Sequence, residues 1–310
     1  MAELIRDDID FSAYERETEL RVHVRPASLY LDALHLQFTP KDRAPKVAEM
    51  FSTKLSGLID FRPGEVTVWA GYNGHRKSMF TGQVALDLLV QRERTLMASL
   101  EMQPARTLAR MARQCFAVER PAGASLEAFS RWTDGRLWLF DHLGRISPAK
   151  CIAVCRYFAE ELRGRHVVID SMMMVCASEE SLDEQKQFMT DLVRMAQETS
   201  LHVHLVAHCR KPQDESKPPT KYDLRGSAAI SDQAHNVVTI WANKAKKAKR
   251  ETDPLDSSIG AEPDALVSVE KQRNGAWEGR LKLWFDETSL RFANDRTSAI
   301  EPYVLQQEAV

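Results

Sequence analysis

Long apolar runs are missing from this sequence. Nowhere in its 310 residues is there a stretch near the roughly 18–20 consecutive apolar positions that a membrane-spanning helix needs. Met1 to Asp10 is acidic and lacks the apolar centre of a secretory signal. The expectation is a cytoplasmic protein with no membrane attachment. Cysteine is scarce: Cys115, Cys151, Cys155, Cys176 and Cys209 form no framework. Cys151 and Cys155 stand four apart but have no two further ligands nearby, so reduced thiols fit better than a metal site or a disulfide scaffold. Net charge is also nearly absent. Forty-two Lys and Arg against 44 Asp and Glu leave −2, which excludes a generally basic coat for nucleic acid but allows a local basic surface. No internal repeat or low-complexity tract is visible. What remains is an ordinary globular composition, 44% apolar and 28% charged, long enough for one large α/β domain with an appendage.

The chain is organised around Gly71-Tyr72-Asn73-Gly74-His75-Arg76-Lys77-Ser78. The apolar run Val66–Ala70 before it reads as a buried strand, and Met79 to Val90 after it repeats its apolar positions with a helical period. A strand, a glycine-containing turn ending in Lys-Ser and a helix describe a phosphate-binding loop. Its backbone N–H groups and the helix dipole would cradle phosphates, Lys77 would reach the β- and γ-phosphates, and Ser78 would ligate Mg²⁺. The usual pattern has Gly immediately before Lys, and here that position is Arg76. A side chain is compatible there if the residue is helical, since Gly is required where φ is positive or backbone approach is close.

Residues 1–55 are charged and mixed, with short helices expected around Leu29–Leu36 and Lys46–Leu55, and read as a helical appendage or linker. From residue 56 short apolar runs alternate with helical stretches, the signature of a parallel sheet covered by helices. The expected strands are Val66–Ala70, Thr95–Leu100, Leu137–Phe140, His166–Ile169, Val203–Ala207 and Val237–Trp241. Helices are expected at Pro104–Gln114, Pro148–Leu162 and Ser181–Thr199. Lys244–Arg250 is a basic run, and Ala265–Gln272 with Arg280–Phe285 reads as a strand pair around Asn274-Gly275. Residues 295–310 read as a frayed tail.

Chemistry gathers at strand ends. Asp170 closes a buried strand some 90 residues after the loop and would join Ser78 in a Mg²⁺ shell. Glu101, after the next strand, is either a solvated carboxylate or the general base that polarises water. His208 ends another strand, as a surface histidine or a group that feels the γ-phosphate. The loop after it carries Arg210, Lys211, Lys217, Lys221 and Arg225, read as interspersed cations without aromatics, which suit backbone-phosphate contact and not base stacking. Lys271 and Arg273 lie two apart on a strand and so point the same way, either to solvent or to a γ-phosphate held by an adjacent subunit.

In this order and spacing the residues resemble the RecA-like motor domain of DnaB-family replicative helicases, including phage members without the bacterial N-terminal domain. The carrying residues are Gly71–Ser78, Ser99-Leu100-Glu101-Met102, Val167-Val168-Ile169-Asp170, Asp223-Leu224-Arg225-Gly226-Ser227, Ile230 through Gln233, and Lys271-Gln272-Arg273-Asn274-Gly275. Ala228 stands where that family often has Gly.

The resemblance covers about residues 56–292 and implies an α/β RecA-like P-loop NTPase core (residues 56–294) with a mostly parallel sheet. It implies ATP and Mg²⁺ at Gly71, Asn73, Gly74, His75, Arg76, Lys77 and Ser78, the metal on Ser78 and Asp170, and Glu101 activating water. His208 would sense the γ-phosphate, and Lys271 and Arg273 would act on the neighbour's nucleotide. Lys211, Lys217, Lys221, Arg225, Gly226 and Ser227 would grip single-stranded DNA. The partners implied are a replication fork, further copies in a ring that is normally hexameric and moves 5′ to 3′, and a primase and loader. Two rival readings are a RecA-like recombination or repair ATPase forming filaments, and a nucleotide-binding loader subunit without turnover.

Overall fold

The computed structural model describes residues 3–6, 9–14, 31, 34–35, 38–39, 46–176, 181–212, 214–253 and 256–305. The strands are β1 (Glu3–Arg6), β2 (Ala48–Glu49), β3 (Asp60–Phe61), β4 (Val66–Gly71), β5 (Thr95–Ser99), β6 (Leu137–Asp141), β7 (His166–Asp170), β8 (His202–His208), β9 (Asn236–Ala242), β10 (Ala265–Gln272), β11 (Gly279–Asp286) and β12 (Arg291–Ala293). The main helices are α1 (Lys77–Val90), α2 (Pro104–Phe116), α3 (Gly123–Thr133), α4 (Pro148–Glu160), α5 (Leu182–Thr199), α6 (Ala229–Gln233) and α7 (Lys244–Thr252).

Ten strands form one sheet in the order β1-β6-β5-β7-β8-β4-β9-β10-β11-β12. Pairing is parallel from β1 to β9 and antiparallel from β9 to β12. The central strands are apolar on both faces, as strands covered on both sides must be. Alternation along β4 sends Val66, Val68 and Ala70 into one core with Phe188 and Leu192 of α5. It sends Trp69 into the other, with Phe80, Val84 and Leu88 of α1. Because β4 lies between β8 and β9 while its successor β5 lies beyond β7, the carboxyl ends of β4, β5, β7 and β8 open onto one crevice. The six expected strands, the three expected helices and the β10–β11 pair are all present, with ends shifted by a residue or two.

Two expectations change, and one segment gains a structure. Lys46–Leu55 is not a helix. Asp87 of α1 and Gln91 just past its end take the Ser52 and Glu49 N–H groups at 3.1 Å each, and Met50, Leu55, Ile59 and Phe61 enter the core as an irregular segment carrying β2 and β3. The chain near residue 300 is not frayed. Tyr303 is buried, donating its hydroxyl to Asp87 Oδ1 at 2.7 Å and its N–H to the Cys115 carbonyl at 2.8 Å, under the Arg291 guanidinium. The basic run Lys244–Arg250 is a helix, α7, capped where Asn243 Oδ1 accepts the Lys246 N–H at 2.9 Å. The helix expected around Leu29–Leu36 falls largely outside the described residues. No described helix is long and apolar enough to cross a membrane.

Candidate active site

The phosphate-binding loop starts where β4 meets its neighbour. Gly71 has no room for a side chain, because a Cβ would collide with the Ile240 carbonyl oxygen of β9. Gly74 has φ +75°, the left-handed region. Arg76 has φ +64°, so it is not helical: the position keeps the backbone that Gly favours while carrying a long side chain. Left-handed backbone costs a non-glycine residue about 1–2 kcal/mol. That cost is partly offset, since Arg76 Nη2 meets Glu287 Oε1 at 2.6 Å and its guanidinium lies 3.9 Å from the Phe285 ring centre. The side chain thus ties the loop to the end of β11. His75 is buried: its Nδ1 accepts the Ala242 N–H at 2.9 Å, and Nε2 has no hydrogen-bond partner, the nearest carboxylate being Glu215 at 4.0 Å. Burial lowers its pKa to about 4, so it is neutral.

Lys77 opens α1 and its ammonium is held over the loop. Nζ donates to the Gly71 and Tyr72 carbonyls at 3.0 and 2.9 Å and lies 3.3 Å from His208 Nδ1. Burial, and then the Lys77 charge, lower the His208 pKa to about 4, so the ring is neutral and Nδ1 can accept from the lysine. Beside them the Ser78 hydroxyl lies close to the buried Asp170 carboxylate, whose pKa burial raises and the nearby hydroxyl lowers. A hydroxyl and a carboxylate at a phosphate loop are the hard oxygen donors that Mg²⁺ takes together with substrate phosphates and water, so these residues fit that ion. Glu101 stands just past β5, its Oε1 accepting the Ser171 hydroxyl at 2.6 Å. One further group went unnoticed in the sequence: Arg110 of α2, half-buried, bears on Asp170 through its charge. Its only sequence signal is helical position, six residues into an amphipathic helix that starts at Pro104. A cleft of about 920 Å³ lies over this edge, bounded by Asn73, Glu101, His208 and Arg225.

Lys271 and Arg273 do turn the same way. Lys271 Nζ donates to the Ser231 and Asp232 carbonyls at 2.9 and 2.7 Å, and Arg273 Nη2 to the Asp232 carbonyl at 3.1 Å. They lie at the opposite edge of the sheet from the phosphate loop. Gln272 pairs with Asn236, which pairs with Thr67 at the start of β4. At about 3.3 Å per residue the two edges are roughly 15–20 Å apart.

The basic loop is fastened to the strand end that carries His208. Cys209 and Leu224 form a β-bridge, Arg210 N–H donates to the Asp223 carbonyl at 2.8 Å, and Arg225 N–H donates to the His208 carbonyl at 2.9 Å. Gly226 has φ +101°, and Ser227 N–H donates to Gln185 Oε1 at 2.8 Å. Lys211, Lys217 and Arg225 are exposed and Lys221 partly so. The loop is not free of aromatics, because Tyr222 stands between Lys221 and Asp223 with its ring exposed.

Residues 49–294 match the family model of the DnaB-like helicase C-terminal domain. The fold is similar to the solved ATPase domain of G40P, with a TM-score of 0.73 at 17% identity over 88% of this chain and 99% of that one. It is also similar to a DnaB-like replicative helicase solved for its interactions with primase, with a TM-score of 0.71 at 17% identity over 87% of this chain and 68% of that one.

Proposed function

Because the chain belongs to the family of DnaB-like helicase C-terminal domains, we propose that its copies hold ATP between them and pull on single-stranded DNA. The protein is an ATP-driven replicative DNA helicase with a RecA-like, nucleotide-binding ATPase core. Neither rival, the filament-forming repair ATPase or the loader without turnover, is favoured by the family match.

One observation carries the site-level reading. Lys77, Ser78, Asp170, Glu101 and His208 converge at the carboxyl edge, while Lys271 and Arg273 stand at the other edge, too far to serve the same nucleotide. In this reading the loop N–H groups and Lys77 hold the β- and γ-phosphates of ATP. Ser78 and Asp170 hold Mg²⁺, which when bound offsets the negative charge of those phosphates. Glu101, oriented by Ser171, accepts a proton from the attacking water through its carboxylate. Arg273 and Lys271 of the neighbouring copy approach the γ-phosphate and stabilise the charge that builds on its oxygens. His208, in contact with Lys77, registers whether the γ-phosphate is present. The loop from Lys211 to Ser227 then grips the strand through its phosphates. Movement 5′ to 3′, a closed hexameric ring, a primase and loader as partners and a cytoplasmic site of action complete the proposal.

The test is a DNA-stimulated ATPase assay on Lys77→Ala, Arg273→Ala and a mixture of the two. Each variant alone should be inactive. An equal mixture should regain about a quarter of the wild-type rate, because in a ring of head-to-tail contacts that share of junctions pairs an intact loop with an intact finger. Full activity of Arg273→Ala alone would overturn the shared site.

A further inference from the structure

A single exposed ring on a protein surface is ordinary. Tyr222 differs in how it is presented. It is 81% exposed, more than any other large hydrophobic side chain among the described residues. It is nevertheless not on a slack loop. Tyr222 is the middle residue of a one-turn 3₁₀ helix, Lys221–Asp223, whose ends are locked by a reciprocal cap. Asp223 Oδ2 accepts the Thr220 N–H at 2.7 Å and the Thr220 hydroxyl at 2.9 Å. The next residues are bridged to the strand end at Cys209 and His208, and the Pro219 carbonyl before the turn accepts the Thr239 hydroxyl at 3.0 Å. The chain therefore holds a large flat side chain in water on a fixed mount, giving up the burial that usually stabilises a tyrosine.

Its surroundings are cationic. The Lys221 ammonium lies 5.6 Å from the ring centre, Lys217 and Arg225 flank the turn in sequence, and Lys221 is close enough to bear on the charge of Lys271. A mounted π-face beside an ammonium group, on a loop that carries further cations, fits a ligand that alternates flat rings with phosphates, which is single-stranded nucleic acid. A duplex offers no free ring face to such a side chain.

We propose that Tyr222 is a base-stacking contact for single-stranded DNA, set among Lys217, Lys221 and Arg225, which take the flanking phosphates. The proposal rests on the reading of this loop as the DNA grip. It adds that the grip recognises the unpaired base as well as the backbone, so strand choice is made partly by stacking.

Stacking and charge separate by salt dependence. Counterion release makes log affinity fall with log salt in proportion to the phosphates neutralised, whereas stacking leaves that slope alone. The measurement is fluorescence anisotropy of a labelled oligothymidylate on the wild-type oligomer, Tyr222→Ala, Tyr222→Trp and Lys217→Ala, across a salt series. Tyr222→Ala should weaken binding about 5- to 100-fold with the slope unchanged, and Tyr222→Trp should restore it. Lys217→Ala should make the slope shallower by about one ion. Irradiating the wild type with a 5-iodouracil oligonucleotide should give a crosslink that peptide mapping assigns to Tyr222. Sedimentation of Tyr222→Ala should match the wild type. Unchanged affinity in Tyr222→Ala, or a changed slope, overturns the stacking contact, and so does dissociation of the oligomer, which would assign the ring to the contact between copies. A wild type that does not bind the oligonucleotide at all would instead overturn the reading of the loop as a DNA grip.

Discussion

The two edges of the sheet use the same strands for opposite purposes. At the amino edge β7 and β8 begin with His166, His202 and His204, all buried beside Thr67 and Trp69 of β4. There nearly every ring nitrogen is spent on an internal partner. The Trp69 indole N–H donates to His204 Nδ1 at 3.2 Å, which leaves the proton of His204 on Nε2, facing His166 Nδ1 at 3.3 Å. His202 is held between the Thr67 hydroxyl at 2.9 Å and the Arg62 carbonyl at 2.7 Å. At the carboxyl edge the same strands lead to Asp170 and His208, beside Glu101 just past β5, and their partners are the other reactive groups and the open cleft. The lesson is that polar residues at strand ends build structure when their hydrogen bonds close inward. They are available for chemistry when those bonds close on one another beside solvent.

Substitutions should separate the reactive groups from the histidine cluster by orders of magnitude. Arg273→Ala should lower DNA-stimulated ATP turnover by about 10³-fold or more, the range of an arginine finger acting across subunits. It should leave the melting temperature near wild type, since the side chain holds only a carbonyl of a five-residue helix. Glu101→Gln should lower kcat about 10²- to 10⁴-fold with nucleotide binding retained. Ser171→Ala should lower kcat by roughly tenfold at unchanged KM, because it frees the Glu101 carboxylate to turn without removing it, an effect of one hydrogen bond to a charged group. A Ser171→Ala variant with wild-type kcat would make that contact purely structural.

The histidine cluster at the amino edge should report in stability instead. Burial lowers the pKa of His202 to about 3 and holds His166 and His204 well below their ordinary value. The folded state therefore binds fewer protons than the unfolded chain once the pH falls below about 6.5. Stability from this cluster is complete above that pH and is lost as the pH falls toward 3. The slope should reach up to about 1.4 kcal/mol per pH unit for each histidine. Urea unfolding from pH 7 to pH 4.5 measures it, and His204→Gln should flatten the dependence by about one proton. The smallest effect is expected at the phosphate loop. Arg76→Gly relieves a left-handed residue but removes the contacts to Glu287 and Phe285, so the change in stability should stay within about 1 kcal/mol.

How much of this was legible in the sequence depended on the length scale that decides each feature. Strand ends were readable because an apolar run followed by Asp170 or His208 is a local pattern, and a parallel sheet places such ends on one edge. The distance of Arg273 from Lys77 followed only from register, since β10 runs antiparallel to β9 and a sequence does not state that pairing. Residues 46–55 carry an apolar pattern that suits a helix until Asp87 and Gln91, on another element, take its N–H groups. Tyr303 gave no signal because its partner Asp87 lies 216 positions away. The backbone of Arg76 is hidden from the sequence for a subtler reason: the close approach of Ile240 at Gly71 and the left-handed turn at Gly74 shape the loop, and the residue before Lys77 has to accept the φ that remains.

The fastening of Arg225 and Leu224 to His208 and Cys209 has a thermodynamic corollary. A β-bridge with hydrogen bonds on both sides has no slack residue to absorb a shift, so a role of His208 in reading the nucleotide and a role of the loop in holding the strand, as proposed, would be coupled. Coupling between two ligands of one rigid piece is reciprocal: the factor by which ATP tightens the hold on the strand must equal the factor by which the strand tightens the hold on ATP. Two titrations made in opposite order on a non-hydrolysing Glu101→Gln oligomer should therefore return the same number.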